Sequence, residues 1–392
     1  MKKRKLCVVT SSRADYGHLK PLLNELKGDH DLCLQIAVTG MHLSPEFGLT
    51  YREIENDGFE IDEKIEVLLS SDTPQGISKS MGLTMISFSE AYQKLNPDII
   101  VAPGDRFEML SVVATALVCG IPVAHISGGD VTEGAIDDSF RHSITKMSHL
   151  HFTSLEQYRK RVIQLGEDPT RVFKVGELGL DNIKNMKLLS KSDLEKELKF
   201  KLGEQNLLVN FHPVTLEKNT SKGQFQNLLD ALDGFKDVKI IFTKSNADTY
   251  GRIINQMMDQ YAAKDPGRVV AFTSLGQLRY LSAMQYVDGV VGNSSSGIIE
   301  APSFQIGTVN IGDRQKGRVR PESVIDCGTD REEIKKALRK LFSKDFKRKI
   351  RNVINPYGDG NAAKRIKDIL KKFDIGNILK KKFHDLEFEY RR

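Results

Sequence analysis

Short apolar runs alternate with amphipathic stretches along this chain, in two successive series. The first series has apolar runs at residues 6–10, 33–39, 99–102, 122–126, 150–153 and 172–175. Between them, apolar positions recur three and four apart at 16–26, 77–95, 107–119 and 137–147. The second series has runs at 207–211, 238–242, 269–272, 287–291 and 308–311, with helical patterns at 225–232, 248–262 and 275–283. Runs that are apolar throughout predict strands buried on both faces, and their alternation with helices predicts parallel sheets. The expected fold class is therefore α/β, with two Rossmann-like doubly wound domains. A charged helix at 191–201 is expected to separate the two sets, and a last helix is expected at 362–373. The domains are placed at 1–185 and 186–365, with 366–392 as a C-terminal helix and tail.

Composition narrows the class. The 392 residues are 40% hydrophobic and 28% charged, an ordinary balance for a soluble enzyme with two cores. The net charge of +6 is concentrated near 344–351 and 371–382, which read as solvated faces. With no Trp and few aromatic residues, a base-stacking platform is not expected, so nucleic acid is not an expected partner. The four Cys are far apart without metal-ligand spacing, and are read as reduced, buried thiols. The basic start, residues 1–5, resembles the head of a signal peptide, but the apolar run at 6–9 is too short to continue it. No stretch approaches the ~18 apolar residues of a membrane span. A cytoplasmic protein with no membrane partner is expected.

In open parallel sheets, ligands bind beyond the carboxyl ends of the strands, so the polar loops there carry the chemistry. The richest is Gly292-Asn293-Ser294-Ser295-Ser296-Gly297, after the run at 287–291 and before a helix-like segment at 298–301. Small hydroxyl residues where a strand meets a helix start form an anion cradle. Glu300, one turn further, suits ribose hydroxyls. A diphosphate with a sugar, hence a nucleotide, is the implied ligand. A helix cap without a ligand is the plain alternative. Other rich loops hold Ser12-Arg13-Ala14-Asp15, Gly104-Asp105-Arg106, His125-Ile126-Ser127-Gly128-Gly129-Asp130, Asp137-Asp138 with Arg141-His142, His212-Pro213-Val214-Thr215, and Ser245-Asn246-Ala247-Asp248. Neither a P-loop lysine motif nor G-x-G-x-x-G opens a helix, which disfavours ATPase and dinucleotide readings.

These loops in this order resemble the hydrolysing UDP-N-acetylglucosamine 2-epimerases. The likeness rests on S-R-A-D-Y-G (12–17), T-G-M-H (39–42), P-G-D-R (103–106), D-D-S-F-R-H-S-I-T-K (137–146), H-P-V-T (212–215), N-A-D (246–248), G-N-S-S-S-G-I-I-E (292–300) and G-D-R-Q-K-G-R (312–318). It implies the glycosyltransferase-B architecture, with UDP in the interdomain cleft and a C-terminal helix packed back on the first domain. It also implies elimination of UDP across C1–C2 through 2-acetamidoglucal, followed by hydration to N-acetylmannosamine, for sialic-acid-type biosynthesis. By the resemblance, Asp105 and Asp137 serve as acid and base, and His212 assists departure of the diphosphate. Arg13 and Asp15 line the sugar–phosphate region with His42 nearby, and Arg106 and Asn246 are further substrate-binding residues. Ser294 and Ser295 hold phosphate, Glu300 the ribose, and Arg314 the developing charge on UDP. The resemblance calls for no cofactor or metal, and for a homo-oligomer, dimer or tetramer.

One departure stands out. Relatives usually carry Glu or His at the position of Ser127, and serine is neither acid nor base near neutral pH. Either that position is dispensable, or Asp130 or Glu133 serves instead. The change also points to UDP-2,4-diacetamido-2,4,6-trideoxyglucose, on the way to legionaminic acid, as an alternative substrate. Plainer readings stand beside the catalytic ones. Asp15 can be a helix cap, Asp105 and Arg106 a surface ion pair, and Asp137-Asp138 a helix start. His125 reads as a satisfied buried histidine, and His142 and His149 as packing residues. A glycosyltransferase and a non-catalytic UDP-sugar sensor are the competing function classes.

Overall fold

The side chains of β1 (Arg4–Thr10) explain why the apolar runs are continuous. Leu6 and Val8 face one core, with Leu19, Leu22 and Leu23 of the helix Arg13–Lys27 and Ile366 and Leu370 of the helix Ala362–Lys372. Cys7 and Val9 face the opposite core, with Phe88 of the helix Pro74–Leu95 and Met109 and Val112 of the helix Phe107–Val118. A strand covered on both faces has no polar side to show. Each fully buried aliphatic side chain contributes roughly 1.5–3 kcal/mol, so these central strands carry much of the stability.

The structure, a computed structural model, describes residues 3–69, 73–132, 136–213, 220–244 and 251–387. It divides into two compact units. The first takes the chain up to Asp130, Ile136–Asn182 and the residues from Tyr357 onward. Its sheet holds β1, β2 (Leu32–Thr39), β3 (Glu63–Ile65), β4 (Ile99–Pro103), β5 (Val123–Ile126), β6 (Leu150–Thr153) and β7 (Val172–Lys174). The order is β3-β2-β1-β4-β5-β6-β7, parallel throughout.

The second unit takes Ile183–Pro356 and a short piece that begins at Val131. Its sheet holds β8 (Gln205–Asn210), β9 (Val238–Thr243), β10 (Val269–Phe272), β11 (Gly289–Gly292), β12 (Gly307–Ile311) and β13 (Val324–Cys327). The order is β10-β9-β8-β11-β12-β13, again parallel. Leu207 and Val209 face Phe225, Leu228 and Leu338, while Leu208 and Val290 face Leu194, Leu198 and Met284. Both units are thus Rossmann-like doubly wound sheets, the fold class of glycosyltransferase-B proteins. In each sheet the strand order reverses once, between β1 and β4 and between β8 and β11, and a crevice opens at such a reversal.

Several sequence expectations need correction. The charged segment at 191–201 is not a separator. Its helix, Lys191–Leu198, buries Leu194 and Leu198 in a core of the second unit. β3 and β13 went unforeseen because they are short outer strands that carry charge. The thiols are free, as expected, but only Cys7 is buried, and Cys119 is exposed. The basic end is not uniformly solvated. Lys371 pairs with Asp29 and Asp31, and the Lys381 side chain is only 19% exposed. Among the described residues, no helix is long and apolar enough to cross a membrane.

The helix Ala362–Lys372 borrows its N-terminal cap. Asn361 makes no side-chain cap bond. Instead Asp181, itself buried, accepts from the amides of Ala362 at 3.0 Å and Ala363 at 2.7 Å. Two first-turn donors are satisfied by one carboxylate from another helix. Asp181→Ala should therefore lower the unfolding free energy by about 2 kcal/mol, since it deletes a cap and strands buried donors. Urea unfolding followed by circular dichroism checks this, and an unchanged midpoint would show that the cap contributes nothing.

Candidate functional site

At the reversal of the first sheet, the chain leaves β1 through Ser11 and Ser12. Ser12 caps the helix Arg13–Lys27, accepting from the Asp15 amide at 3.3 Å. The Asp15 carboxylate reaches back to the Ser11 amide at 3.3 Å and its hydroxyl at 2.8 Å. The cap is thus Ser12, and Asp15 closes the reciprocal half of a capping-box-like pair. Arg13 lies half-exposed beside Glu53, at 3.1 Å. His42 is fully buried, with Nε2 3.0 Å from the Thr10 hydroxyl and Nδ1 2.8 Å from that of Thr50. Burial pushes its pKa down to about 4, against the pull of Asp15, so the ring is neutral at neutral pH. It braces the loop with both nitrogens engaged.

Across the reversal, the loop after β4 carries Asp105 and Arg106. Its Gly104 carbonyl accepts from His125 Nε2 at 2.8 Å, which fixes the tautomer: Nδ1 then accepts from the Thr145 hydroxyl at 3.1 Å. His125 is the satisfied, buried histidine the sequence suggested, and burial pushes its pKa down to about 3, so this brace is uncharged. Asp105 is ion-paired with Arg141 of the helix Ile136–Met147. Arg141 is 4% exposed and also donates to Asp138 at 3.2 Å and to the Asp130 carbonyl at 3.0 Å. Asp105 does not pair with Arg106, contrary to the surface-pair reading. Arg106 instead forks onto Glu108 with two bonds of 3.1 Å, and Glu108 is fully buried.

Asp137 opens the same helix as Arg141. Burial raises its pKa first, and the negative charge of Asp105 raises it further, while Arg106 and Arg141 pull the other way. The first unit thus gathers Asp105, Asp137 and Asp138 around two guanidinium groups. A carboxyl with raised pKa in such a cluster is a candidate proton acceptor. His142 stands 3.5 Å from Asp138 and its pKa is lowered by burial. The Ser127 loop passes this cluster after β5. Ser127 itself has φ of 69°, a conformation costly for a residue with a side chain. Gly129 has φ of 82°, and a Cβ there would lie 2.4 Å from the Tyr158 carbonyl, so only glycine fits. Asp130 is buried beside it. Glu133 lies outside the described residues.

The reversal of the second sheet brings His212, after β8, beside the serine loop, after β11. Gly292 has φ of 136° and stands so close to Asn210 that a Cβ would overlap its carbonyl. Asn293 is buried and ties the two loops together. Its Oδ1 accepts from the His212 amide at 2.7 Å and its Nδ2 donates to the His212 carbonyl at 2.8 Å. The Asn293 carbonyl accepts from Arg314 and Gln315, each at 3.0 Å. Burial, aided by Arg314, pushes the His212 pKa down to about 4, and its Nδ1 has no partner among the described residues.

The helix after the serine loop begins earlier than expected, at Ser296–Ile299, and its dipole is that of a single turn. What the loop offers an anion is chiefly hydroxyls and first-turn amides. Ser294 and Ser295 are half-buried, and Glu300 ends the turn. Ser296 is held by Tyr280, which donates to it at 2.8 Å and is itself bonded to Asn210. Asn246, Val214 and Thr215 lie outside the described residues. Arg141, Glu108, Asn293 and Tyr280 were given no role from sequence. Only the Asp138–Arg141 spacing, one helical turn, signals its pairing locally.

Comparison with known proteins agrees with this fold. The profile of the UDP-N-acetylglucosamine 2-epimerase family matches residues 24–371. A Campylobacter jejuni protein, GDP/UDP-N,N'-diacetylbacillosamine 2-epimerase (hydrolyzing), is 48% identical over 98% of this chain and all of its own. Polysialic acid biosynthesis protein P7 of Escherichia coli is 39% identical over 94% of each chain. The UDP-GlcNAc 2-epimerase of Neisseria meningitidis, solved with UDP-GlcNAc bound, has a TM-score of 0.82 over 93% of this chain and 99% of its own, at 17% identity, a likeness of fold. With the profile spanning most of its length and a hydrolysing relative 48% identical along nearly all of it, the chain belongs to the UDP-N-acetylglucosamine 2-epimerase family, among its hydrolysing members.

Proposed function

We propose that the chain converts UDP-N,N'-diacetylbacillosamine and water to UDP and the 2-epimeric free sugar, 2,4-diacetamido-2,4,6-trideoxymannose. This substrate is the UDP-2,4-diacetamido-2,4,6-trideoxyglucose raised above as the alternative to UDP-N-acetylglucosamine. The carrying observation is the 48% identity, across nearly the whole chain, to a hydrolysing epimerase named for that sugar. Ser127 supports it, because a small residue stands where the resemblance expects Glu or His, and the sugar side of the site is where a 4-acetamido group would be told from a hydroxyl.

In the chemistry proposed, Asp137 takes the proton from C2. The C1=C2 bond forms as the C1–O bond breaks, and its electron pair leaves with UDP. Asp137 suits this step because its raised pKa makes it a stronger base than an ordinary carboxylate. Water then adds at C1 while a proton returns to the other face of C2. Inversion requires a second acid–base group, and Asp105 is the carboxyl assigned to it. Arg141 holds Asp105 in place. Arg106, with Arg13 and Asp15, is assigned to the sugar–phosphate region, and His42 to bracing it. In the second unit, Ser294 and Ser295 would hold the diphosphate and Glu300 the ribose. Arg314 and His212 would meet the charge that develops on the leaving UDP. A neutral His212 next to a diphosphate would gain basicity and could give it a proton.

Two experiments test this reading. Products from UDP-N,N'-diacetylbacillosamine, its GDP counterpart and UDP-N-acetylglucosamine can be followed by mass spectrometry. The first should be preferred in kcat/KM by at least about tenfold, the scale on which a site distinguishes one substituent. Preference for UDP-N-acetylglucosamine would reverse the substrate assignment, and release of an unepimerised sugar would remove the epimerase reading. The second is a pH profile. Because the base must be ionised and its pKa is raised, kcat/KM should fall with acid through a limb above the usual carboxylate range. Asp137→Asn should cost about 10²–10⁴-fold in turnover while UDP affinity stays near that of the native chain. A limb in the ordinary carboxylate range, or an active Asn variant, would take the base role away from Asp137.

A further inference from the structure

The chain beyond the helix Ala362–Lys372 crosses back over the first unit and is fastened at several points. Ile378 is buried in the core, and its carbonyl accepts from Arg171 at 2.8 Å. The His384 amide donates to the Gly166 carbonyl at 3.0 Å. The Phe383 ring covers Gly166, where a Cβ would strike it, and Lys146 Nζ lies 4.7 Å from the ring centre. Between these points Lys381 turns inward. Its ammonium group lies 2.6 Å from Glu167 Oε2, 2.8 Å from the Lys146 carbonyl and 2.6 Å from the Ser148 carbonyl. Three donors meet three acceptors. Glu167 is itself fully buried and also receives Lys146 at 2.8 Å and His151 at 3.0 Å.

Of the two carbonyls that Lys381 holds, that of Lys146 is in the last turn of the helix Ile136–Met147 and that of Ser148 is on the residue just after it. The last carbonyls of a helix lack intrahelical partners, and a cation there is favoured by the dipole. At its other end this helix carries Asp137, Asp138 and Arg141. The helix is straight-through coupling: a shift at Met147 moves Asp137 along the axis, about 15 Å away at ~1.5 Å per residue.

We propose that Lys381 is a positioning residue, a latch from the C-terminal tail that fixes the register of the helix bearing Asp137 and Arg141 and so sets the geometry of proton transfer. Its catalytic half rests on the function proposed above. Misplacing a catalytic group by a fraction of an ångström to one ångström costs roughly ten- to a hundredfold in rate.

The test compares Lys381→Met, Lys381→Gln, Lys381→Arg and, as a control on the exposed neighbour, Lys380→Met. Hydrogen exchange by mass spectrometry reads the amides of residues 144–148, and steady-state kinetics are taken well below each variant's melting temperature. Lys381→Met should speed exchange there at least about tenfold and lower kcat about tenfold with KM within about twofold, the pattern of a loss confined to the transition state. Lys381→Gln, whose amide can still donate to the carbonyls, should fall between, so it keeps the test open if Lys381→Met does not fold. Lys381→Arg should restore most of both, and Lys380→Met should match the native chain. Native exchange or native kcat in Lys381→Met, or equal losses in Lys380→Met, would overturn the latch. If the native chain turned over no UDP-sugar, the function proposed above would fall while the exchange comparison still decided whether Lys381 holds the helix.

Discussion

The first unit depends on one buried cation. Arg141 is almost wholly removed from water, yet it serves Asp105, Asp138 and the Asp130 carbonyl at once. Without it, the carboxyl groups gathered at the end of this sheet would repel each other with less to offset them. With it, Asp105 is fixed while Asp137 keeps a raised pKa. The arrangement gives two neighbouring acids different environments, one ion-paired and the other with its pKa raised. The supports around it are uncharged: His125 and His42 are both neutral and bonded through both ring nitrogens. A neutral brace holds a loop without adding another charge to the balance.

The second unit solves a different problem with the same topology. Its polar groups are arranged around an amide rather than a guanidinium group. Asn293 joins the His212 loop to the serine loop by two side-chain bonds, and its carbonyl gathers Arg314 and Gln315. Gly292 allows the strands to approach closely enough for this. The result is a set of hydroxyls and amides flanked by a cation and a neutral histidine, chemistry that suits a diphosphate. Both groups sit at the point where strand order reverses, which is where a parallel sheet leaves room for a ligand.

Much of this was legible in the sequence, and what was not has physical reasons. The central strands announced themselves because burial on both faces leaves an unbroken apolar run, as in Leu6–Val9. β3 and β13 escaped because an outer strand need not be apolar throughout. Asp15 read as a helix cap, but the helix begins at Arg13 with Ser12 as its cap, a local spacing that the reading passed over. Asp105 with Arg141, and Asn293 with His212, are long-range pairs at separations of 36 and 81 residues, so no local spacing reveals them. Lys381 misled because charged residues are usually solvated, and a burial that depends on a distant partner leaves no mark in the neighbouring sequence.

The central claim is that a carboxylate of the first unit removes the proton at C2 and that a proton returns from solvent to the opposite face. The most direct measurement is nuclear magnetic resonance of the sugar released in deuterated water from UDP-N,N'-diacetylbacillosamine by the native chain. The account predicts one deuterium at C2 of a product with inverted configuration, with the remaining ring positions unlabelled. A product that retains its original C2 hydrogen would contradict it, because then the carboxyl groups gathered around Arg141 would not be the site of proton transfer.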